Sequence, residues 1–259
     1  MKSPLRSILA AGRACTAGLA DLLLPNLCPA CGLADVSADG LCSKCNVQLL
    51  SLVAIKYCPR CGAAVGPNIP IRQDGCQACP AVLPRFARVV RLGPYAEPLR
   101  GIIRQLKYRR REALRHRLGR MLTHAVIEKC PEGRFDLIMP VPMHWRRRLA
   151  RGYDHARVLA KALGRELFLP VGCELIRTRN TPEQVRLPRS RRVENVRGAF
   201  ATTGRSAIRG ANVLLVDDVT TTGATAGEAA KTLLAGGALS VTLAVIAKAE
   251  PPTAYARFL

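Results

Sequence analysis

Val213-Leu214-Leu215-Val216-Asp217-Asp218-Val219-Thr220-Thr221-Thr222-Gly223-Ala224-Thr225 decides how the rest of the chain reads. Four consecutive apolar residues predict a strand buried on both faces, the pattern of a central parallel strand. Two adjacent carboxylates follow, where that strand is expected to leave the sheet. Small hydroxyl residues come next, and a helix-forming run opens at Gly223 (GATAGEAAKTLLAGG). Such a strand–loop–helix turn points backbone N–H groups and the positive end of a helix dipole at one spot. The threonine hydroxyls add donors, and Gly223 lets the backbone approach an anion closely. The spot suits a phosphate, yet Asp217 and Asp218 would repel one. The acids make sense as acceptors for neutral hydroxyls about a ribose length away, or as a hold for a divalent cation. A ribose 5-phosphate carrying further phosphates with magnesium meets both demands.

This stretch resembles the phosphoribosyl-pyrophosphate (PRPP) motif of type I phosphoribosyltransferases. The resemblance implies that Asp217 and Asp218 take the ribose 2- and 3-hydroxyls as the catalytic pair. It also implies that Thr221, Thr222, Gly223, Ala224 and Thr225 cradle the 5-phosphate.

Composition sets the surroundings. The 259 residues are enough for one moderate domain and a small one. Forty Lys and Arg against eighteen Asp and Glu give a formal charge of +22. Eight zinc-bound thiolates and two zinc ions would lower it to about +18. Residues 85–120 hold twelve basic and two acidic side chains, and residues 144–197 hold fourteen basic ones. A field clustered in this way attracts polyphosphates or nucleic acid. No apolar run approaches the roughly twenty residues that a membrane span needs. Residues 1–25 read as an amphipathic helix, with Leu5, Ile8, Leu9, Leu19, Leu22 and Leu23 on one face, docking on the rest of the chain. Arg13 interrupts the apolar part, so this start does not read as a signal peptide, and a cytoplasmic protein is expected.

Eight of the eleven cysteines form pairs: Cys28/Cys31, Cys42/Cys45, Cys58/Cys61 and Cys76/Cys79. Cys-Pro-x-Cys-Gly, found twice, is a knuckle whose turn aims two thiolates at one point. Two sequential four-sulfur zinc sites follow, Cys28/Cys31/Cys42/Cys45 and Cys58/Cys61/Cys76/Cys79, making residues 26–80 a double zinc ribbon. The spacing suits zinc better than an iron–sulfur or disulfide framework. Closed sites of this kind are structural. Cys15, Cys130 and Cys173 read as small buried residues.

Pro80 to Pro84 reads as a linker, and residues 85–259 as the larger domain. Strands are expected at Phe86–Leu92, Phe135–Pro140, Val171–Ile176, Ala211–Val216 and Leu239–Ala247. Helices carry Leu99, Ile102, Ile103 and Leu106, then Leu114, Leu118, Met121 and Leu122, then Val158, Leu159, Ala162 and Leu163. Between the first two lies Lys107-Tyr108-Arg109-Arg110-Arg111, either a solvated helix face or a patch for nucleic acid or polyphosphate. A basic loop, Val141 to Ala156, enters the third and reads as a second anion site at the same sheet edge, where open α/β sheets bind ligands. His144 and His155 read as loop hydrogen-bonders rather than proton carriers. Arg177–Phe200 is long, polar and nearly free of core residues, which is characteristic of a functional or a disordered loop.

Taken together, the leading helix, the cysteine knuckles, Lys107-Tyr108, Val-Pro…Arg-Gly-Tyr, Arg-x-Thr-x-x-Gln…Arg-x-x-Asn…Ala-Phe and the Asp-Asp motif resemble the ComF family over about residues 19–248. The resemblance implies a type I phosphoribosyltransferase-like, doubly wound and mainly parallel α/β sheet behind the zinc ribbons. It implies a pyrophosphate loop of Pro142, Arg147, Arg151, Gly152 and Tyr153. It implies a mobile hood carrying Arg179, Thr181, Gln184, Arg192 and Asn195. Asp154-His155 departs from the Asn-Gln of the pattern. The family link also implies PRPP with magnesium as ligand, single-stranded DNA and other competence proteins as partners, and a role in DNA uptake. Two readings follow: an enzyme transferring ribose 5-phosphate to an unidentified acceptor, or a single-stranded DNA-binding factor that retains a PRPP fold. Lys107, Tyr108, Arg109 and Arg110 are the nucleic-acid candidates.

Overall fold

In a computed structural model of the chain, the described residues are 27–33, 36–37, 40–66, 69–71, 75–106, 112–151, 154–182, 184, 187–188, 191–204, 206–251 and 254. The expected N-terminal helix and the Lys107–Arg111 patch lie outside them.

Four parallel strands make the central sheet: β1 (Arg88–Pro94), β2 (Leu137–Pro140), β5 (Asn212–Thr220) and β6 (Ser240–Lys248), in the order β1-β6-β5-β2. Val213 to Val216 are fully buried, and β5 pairs with β6 from Asn212↔Ser240 to Thr220↔Lys248. That pairing corrects one expectation. The strand does not end at Val216 but carries Asp217 and Asp218 within it, because β6 continues to supply partners. The β2 pairing stops at Pro140↔Val216, so the acids emerge where one neighbour has ended and the other has not. Val171 adds a single parallel bridge to Ile138, and the strand expected at Val171–Ile176 is otherwise reduced to β3 (Leu175–Arg177).

Helices cover both faces, as parallel sheets require. On one face α3 (Glu112–Lys129) and α5 (His155–Leu167) share a core with Val90, Leu92, Leu214, Val216 and Ile246. On the other, α7 (Ala224–Ala235) packs Ala226, Ala229, Ala230 and Leu233 against Val213, Leu215, Leu243 and Val245. The short helix α2 (Leu99–Gln105) leads from β1 toward α3 and buries Leu99, Ile102 and Ile103. After β2 the chain returns over one face, and after β5 over the other. The carboxyl ends of β2 and β5 therefore border a crevice at a topological switch point.

Two further elements were hidden in basic sequence. The helix α4 (Trp145–Arg151) occupies the segment expected to be only a loop. The long polar stretch after β3 contains α6 (Arg192–Val196) and returns as β4 (Phe200–Thr202), which pairs antiparallel with β3.

Ahead of the sheet, α1 (Ser43–Val53) sends Leu49 and Leu52 into the same core as Leu92 and Leu99. Among the described residues, the second knuckle's own buried core is Cys58, Cys61, Ala63 and Val65. It covers the free edge of β1, with the Val89 N–H donating to Pro59 O at 2.6 Å. Of the cysteines outside the knuckles, Cys130 is half-buried, and Cys173 is exposed rather than buried as expected.

The eight knuckle sulfurs fall into two clusters, Cys28/Cys31/Cys42/Cys45 and Cys58/Cys61/Cys76/Cys79, each with all ligand atoms within 4.8 Å of one another. The sulfurs of Cys31 and Cys42, and of Cys61 and Cys76, are 3.7 Å apart, and those of Cys58 and Cys79 are 3.8 Å apart. A tetrahedron with metal–sulfur bonds of about 2.3 Å has edges of about 3.8 Å, so both donor sets fit zinc. The second knuckle's small core makes metal binding its main source of folding free energy. Elemental analysis of the purified protein should therefore find two zinc ions per chain and no iron, with Cys28→Ser and Cys58→Ser each losing one. Substoichiometric zinc, or visible absorbance from iron, would contradict this.

Candidate active site

Asp217 and Asp218 open onto a cavity of about 840 Å³, whose lining includes Arg147, Arg177, Gln184, Arg192 and, from the loop, Thr220, Thr221 and Gly223 to Ala226. Each acid accepts the next backbone N–H, Asp218 N at 2.8 Å and Val219 N at 2.7 Å, which fixes both carboxyls at the strand end. Asp217 is only partly open to the cavity and is walled in by protein. That burial, with the charge of Asp218 beside it, holds its carboxyl well above the usual range.

The loop after the acids turns on Gly223, whose φ of +79° lies in the left-handed region. A side chain there would also press on Pro84, 3.1 Å away. The Thr222 hydroxyl accepts the Ala224 N–H at 3.3 Å, and Lys248 Nζ donates to the Thr221 carbonyl at 2.7 Å. Gly223 is the N-cap of α7 and gives its first turn no side-chain cap, so beyond the Ala224 N–H, which Thr222 takes, the opening turn of that helix presents amides to an outside acceptor.

The second basic loop meets the same acids. A smaller cavity of about 140 Å³ joins Pro142, Arg147, Asp154, His155 and Arg177 to Asp217, Asp218 and Thr225. Asp154, the departure from the family pattern, is the N-cap of α5 and accepts the Arg157 N–H at 3.1 Å. His144 is buried and accepts the Arg146 N–H on Nδ1 at 3.3 Å. Burial, then Arg146, Arg177 and Arg147, lower its pKa, which keeps the ring neutral and able to accept. Arg151 lies at the end of α4, and Gly152 and Tyr153 lie outside the described residues.

The hood residues divide. Gln184 and Arg192 line the larger cavity, and Gln184 donates to the Thr225 hydroxyl at 3.3 Å, tying the hood to the loop. Arg179, Thr181 and Asn195 do not line it. Arg179 donates to Arg197 O at 2.6 Å, Asn195 to Pro182 O at 3.1 Å, and Thr181 is buried, accepting from Arg177 at 2.5 Å. These three hold the shape of the segment.

Arg177 is the residue that sequence reasoning did not single out. It borders both cavities, stacks over Phe200 at 5.4 Å and faces Arg147 and Asp217. Burial and Arg147 push its pKa down, while Asp217 pushes it back. Two arginines converging beside two acids form a site that calls for a ligand carrying both anionic and neutral oxygens.

Relatives bear on this geometry. The DNA utilization protein YhgH of Escherichia coli (strain K12) is 34% identical over 189 residues, 71% of this chain and 80% of that protein. Competence protein F of Haemophilus influenzae is 32% identical over 188 residues, 69% of this chain and 80% of that one. The chain belongs to the ComF family. Competence protein ComFC of Bacillus subtilis is 36% identical over 107 residues, 41% of each chain. Residues 19–83 match the family model of the double zinc ribbon domain. Among solved structures, a glutamine PRPP amidotransferase from B. subtilis complexed with ADP and GMP is similar at a TM-score of 0.37 and 20% identity. That match covers 55% of this chain and 30% of the other. A purine phosphoribosyltransferase from Pyrococcus horikoshii is similar at 0.34 and 18%, covering 51% and 73%. The fold is a four-stranded parallel sheet with helices on both faces, behind a segment that matches the double zinc ribbon and carries two four-sulfur clusters.

The raised Asp217 carboxyl has a consequence for stability. Because its folded pKa lies above the unfolded value of about 3.9, the ligand-free native state holds the extra proton between the two. Its ionisation therefore costs stability as pH rises through the folded pKa, and that cost disappears below the unfolded value. Asp217→Asn keeps an acceptor for the Asp218 N–H and removes the charge. Scanning calorimetry at pH 8 should find the variant more stable than the parent, by about 2–4 °C for each kcal/mol recovered. The gain should shrink toward pH 4. A variant less stable at pH 8 would contradict the assignment.

Proposed function

We propose that the cavity binds PRPP with magnesium and that the protein transfers ribose 5-phosphate to an acceptor. The observation that carries this reading is the juxtaposition of two carboxylates with an open helix N-terminus nine residues or fewer along one strand–loop–helix turn, Asp217 to Thr225. Asp217 and Asp218 would accept the ribose hydroxyls. Thr221 to Thr225 would hold the 5-phosphate, with the α7 amides and dipole adding to the attraction. Pro142 and Arg147, with Arg151, Gly152 and Tyr153 following on the same loop, would direct the pyrophosphate, and Arg177 would add charge opposite Asp217. In displacement at the anomeric carbon, the bond to pyrophosphate breaks as the acceptor bond forms from the opposite face, with inversion. Magnesium, when bound, would neutralise the departing pyrophosphate. The hood residues Gln184 and Arg192 would keep water from the reacting carbon.

Calorimetric titration with PRPP and magnesium tests this. Asp217→Asn combined with Asp218→Asn should abolish measurable binding while circular dichroism stays unchanged. Each lost charged hydrogen bond is worth on the order of 1.5–3 kcal/mol, tenfold or more in affinity. A double variant binding as tightly as the parent would remove the ribose assignment. Pyrophosphate release that depends on an added base or nucleoside would identify the acceptor.

A second reading, single-stranded DNA binding, rests on α4. Trp145 is 56% exposed with the Arg146 guanidinium 5.3 Å over its ring, and Arg148 and Leu149 are exposed beside it. An aromatic plane among arginines is what sequence-tolerant stacking of bases uses, and a relative is named a DNA utilization protein. Lys107, Tyr108, Arg109 and Arg110 would extend the surface, and other competence proteins would be its partners. Neutralising four to six phosphates gives a salt slope of about −3 to −4, from about 0.7 per phosphate. Fluorescence anisotropy against salt should find that slope, and PRPP with magnesium should compete if the α4 loop is shared. A slope near zero would exclude the DNA role.

A further inference from the structure

The second zinc knuckle is built against the back of the phosphate loop. Lys248, the last residue of β6, donates from Nζ to the Thr221 carbonyl at 2.7 Å, and the Ala249 N–H donates to the Thr220 carbonyl at 2.8 Å. Two consecutive loop carbonyls are thus held on one side. A peptide unit is planar and trans, so its C=O and the following N–H point in opposite directions. Holding the Thr221 carbonyl against Lys248 therefore aims the Thr222 N–H away from the knuckle. The ammonium also leaves a positive charge directly behind an anion-binding turn.

The knuckle holds this clamp in place. Gly62, with φ +75°, lies so close that a methyl group on it would come within 3.1 Å of Lys248 Cδ. Two residues beyond Lys248, both Glu250 carboxylate oxygens accept the Ala64 N–H, at 3.0 and 3.2 Å. The guanidinium of Arg91, fully buried under Tyr57, lies 3.9 Å from the same carboxylate. Glu250 also lines the large cavity. A separate cavity of about 370 Å³ brings Cys61, Ala63 and Ala78 of the knuckle together with Thr220 to Gly223 and Lys248. Cys61 thus lines the same small cavity as the loop residues.

We infer that Lys248 and Glu250 are positioning residues through which the second knuckle orders the phosphate loop. Anion affinity at Thr221–Thr225 then depends on metal in the Cys58/Cys61/Cys76/Cys79 cluster. The inference rests on the PRPP reading for the identity of the ligand, and on the contacts above for the coupling.

The test uses the full-length, zinc-loaded protein. Lys248→Met should weaken PRPP binding in calorimetry about tenfold, the worth of a charged hydrogen bond, and Lys248→Arg should largely restore it. Cys61→Ser should lose one zinc per chain by elemental analysis and bind PRPP comparably weakly. Hydrogen exchange in the ligand-free protein gives a readout that needs no ligand. The amides of Thr220–Ala226 should exchange faster in Lys248→Met, Glu250→Gln and Cys61→Ser, while those of β2 and α5 keep parental rates. Parental loop exchange together with parental affinity in Lys248→Met would overturn the inference. So would faster exchange spread evenly over the whole sheet, which is a loss of global stability. If the parent itself binds no PRPP, the functional reading fails, and the exchange comparison alone decides the coupling.

Discussion

Two carboxylates on consecutive residues, within a strand whose preceding four side chains are fully buried, constrain most of what surrounds them. Each of the two carboxyls accepts the next backbone N–H, and both border the same two cavities. Asp217 is left walled in with a like charge adjacent, an arrangement that disfavours its ionised form without a ligand. The structure answers with cations rather than with apolar packing: Arg147 and Arg177 approach from separate segments. Those two in turn disfavour each other. A site that stores this mutual cost gains most when a ligand brings hydroxyls to the acids and phosphoryl oxygens to the arginines.

The fold makes the arrangement possible by ending β2 early. Pro140 pairs with Val216, and the next residue of that strand turns away after one more backbone bond, from the Val141 N–H to the Val216 carbonyl. On the other side β6 continues as far as Lys248. The acids consequently have a strand on one flank and open space on the other, into which α4 and the hood project. Helices on opposite faces follow β2 and β5, so neither covers the gap.

Much of this was legible in sequence, for identifiable reasons. A run of four apolar residues admits few other readings, and paired Cys-x-x-Cys motifs at short separation restrict which sulfurs can meet. The element α4 was not legible, because Trp-Arg-Arg-Arg-Leu-Ala-Arg has no apolar stripe and follows two prolines closely. Its helix is set by the Arg147 and Arg148 amides closing onto the His144 carbonyl. The helix and strand inside the long polar segment after β3 were not legible, because its order comes from side chains capping its own backbone: Arg179, Gln184, Arg192 and Asn195 each donate to a carbonyl within it. Arg177 could not be separated by sequence from the arginines around it. In the structure Arg177 ends β3 opposite Phe200, lies over that ring, donates to Thr181 and borders the cavity beside Asp217.

The contact between Ala64 and Glu250 spans 186 residues, and no local pattern announces it. It nevertheless explains why ribbon and sheet form one unit. A knuckle with four small core residues has too little apolar area to dock by hydrophobic burial alone. It docks instead by hydrogen bonds that each use a main-chain group: Pro59 O accepts from the Val89 N–H, the Arg60 guanidinium donates to Phe86 O at 3.2 Å, and the Ala64 N–H donates to the Glu250 carboxylate. Backbone docking demands that the knuckle keep its turn, and four thiolates converging on one ion are what keep it. The knuckle reaches β1 through Pro59 and the residues after β6 through Ala64, and the end of β6 reaches the loop after the two acids through Lys248.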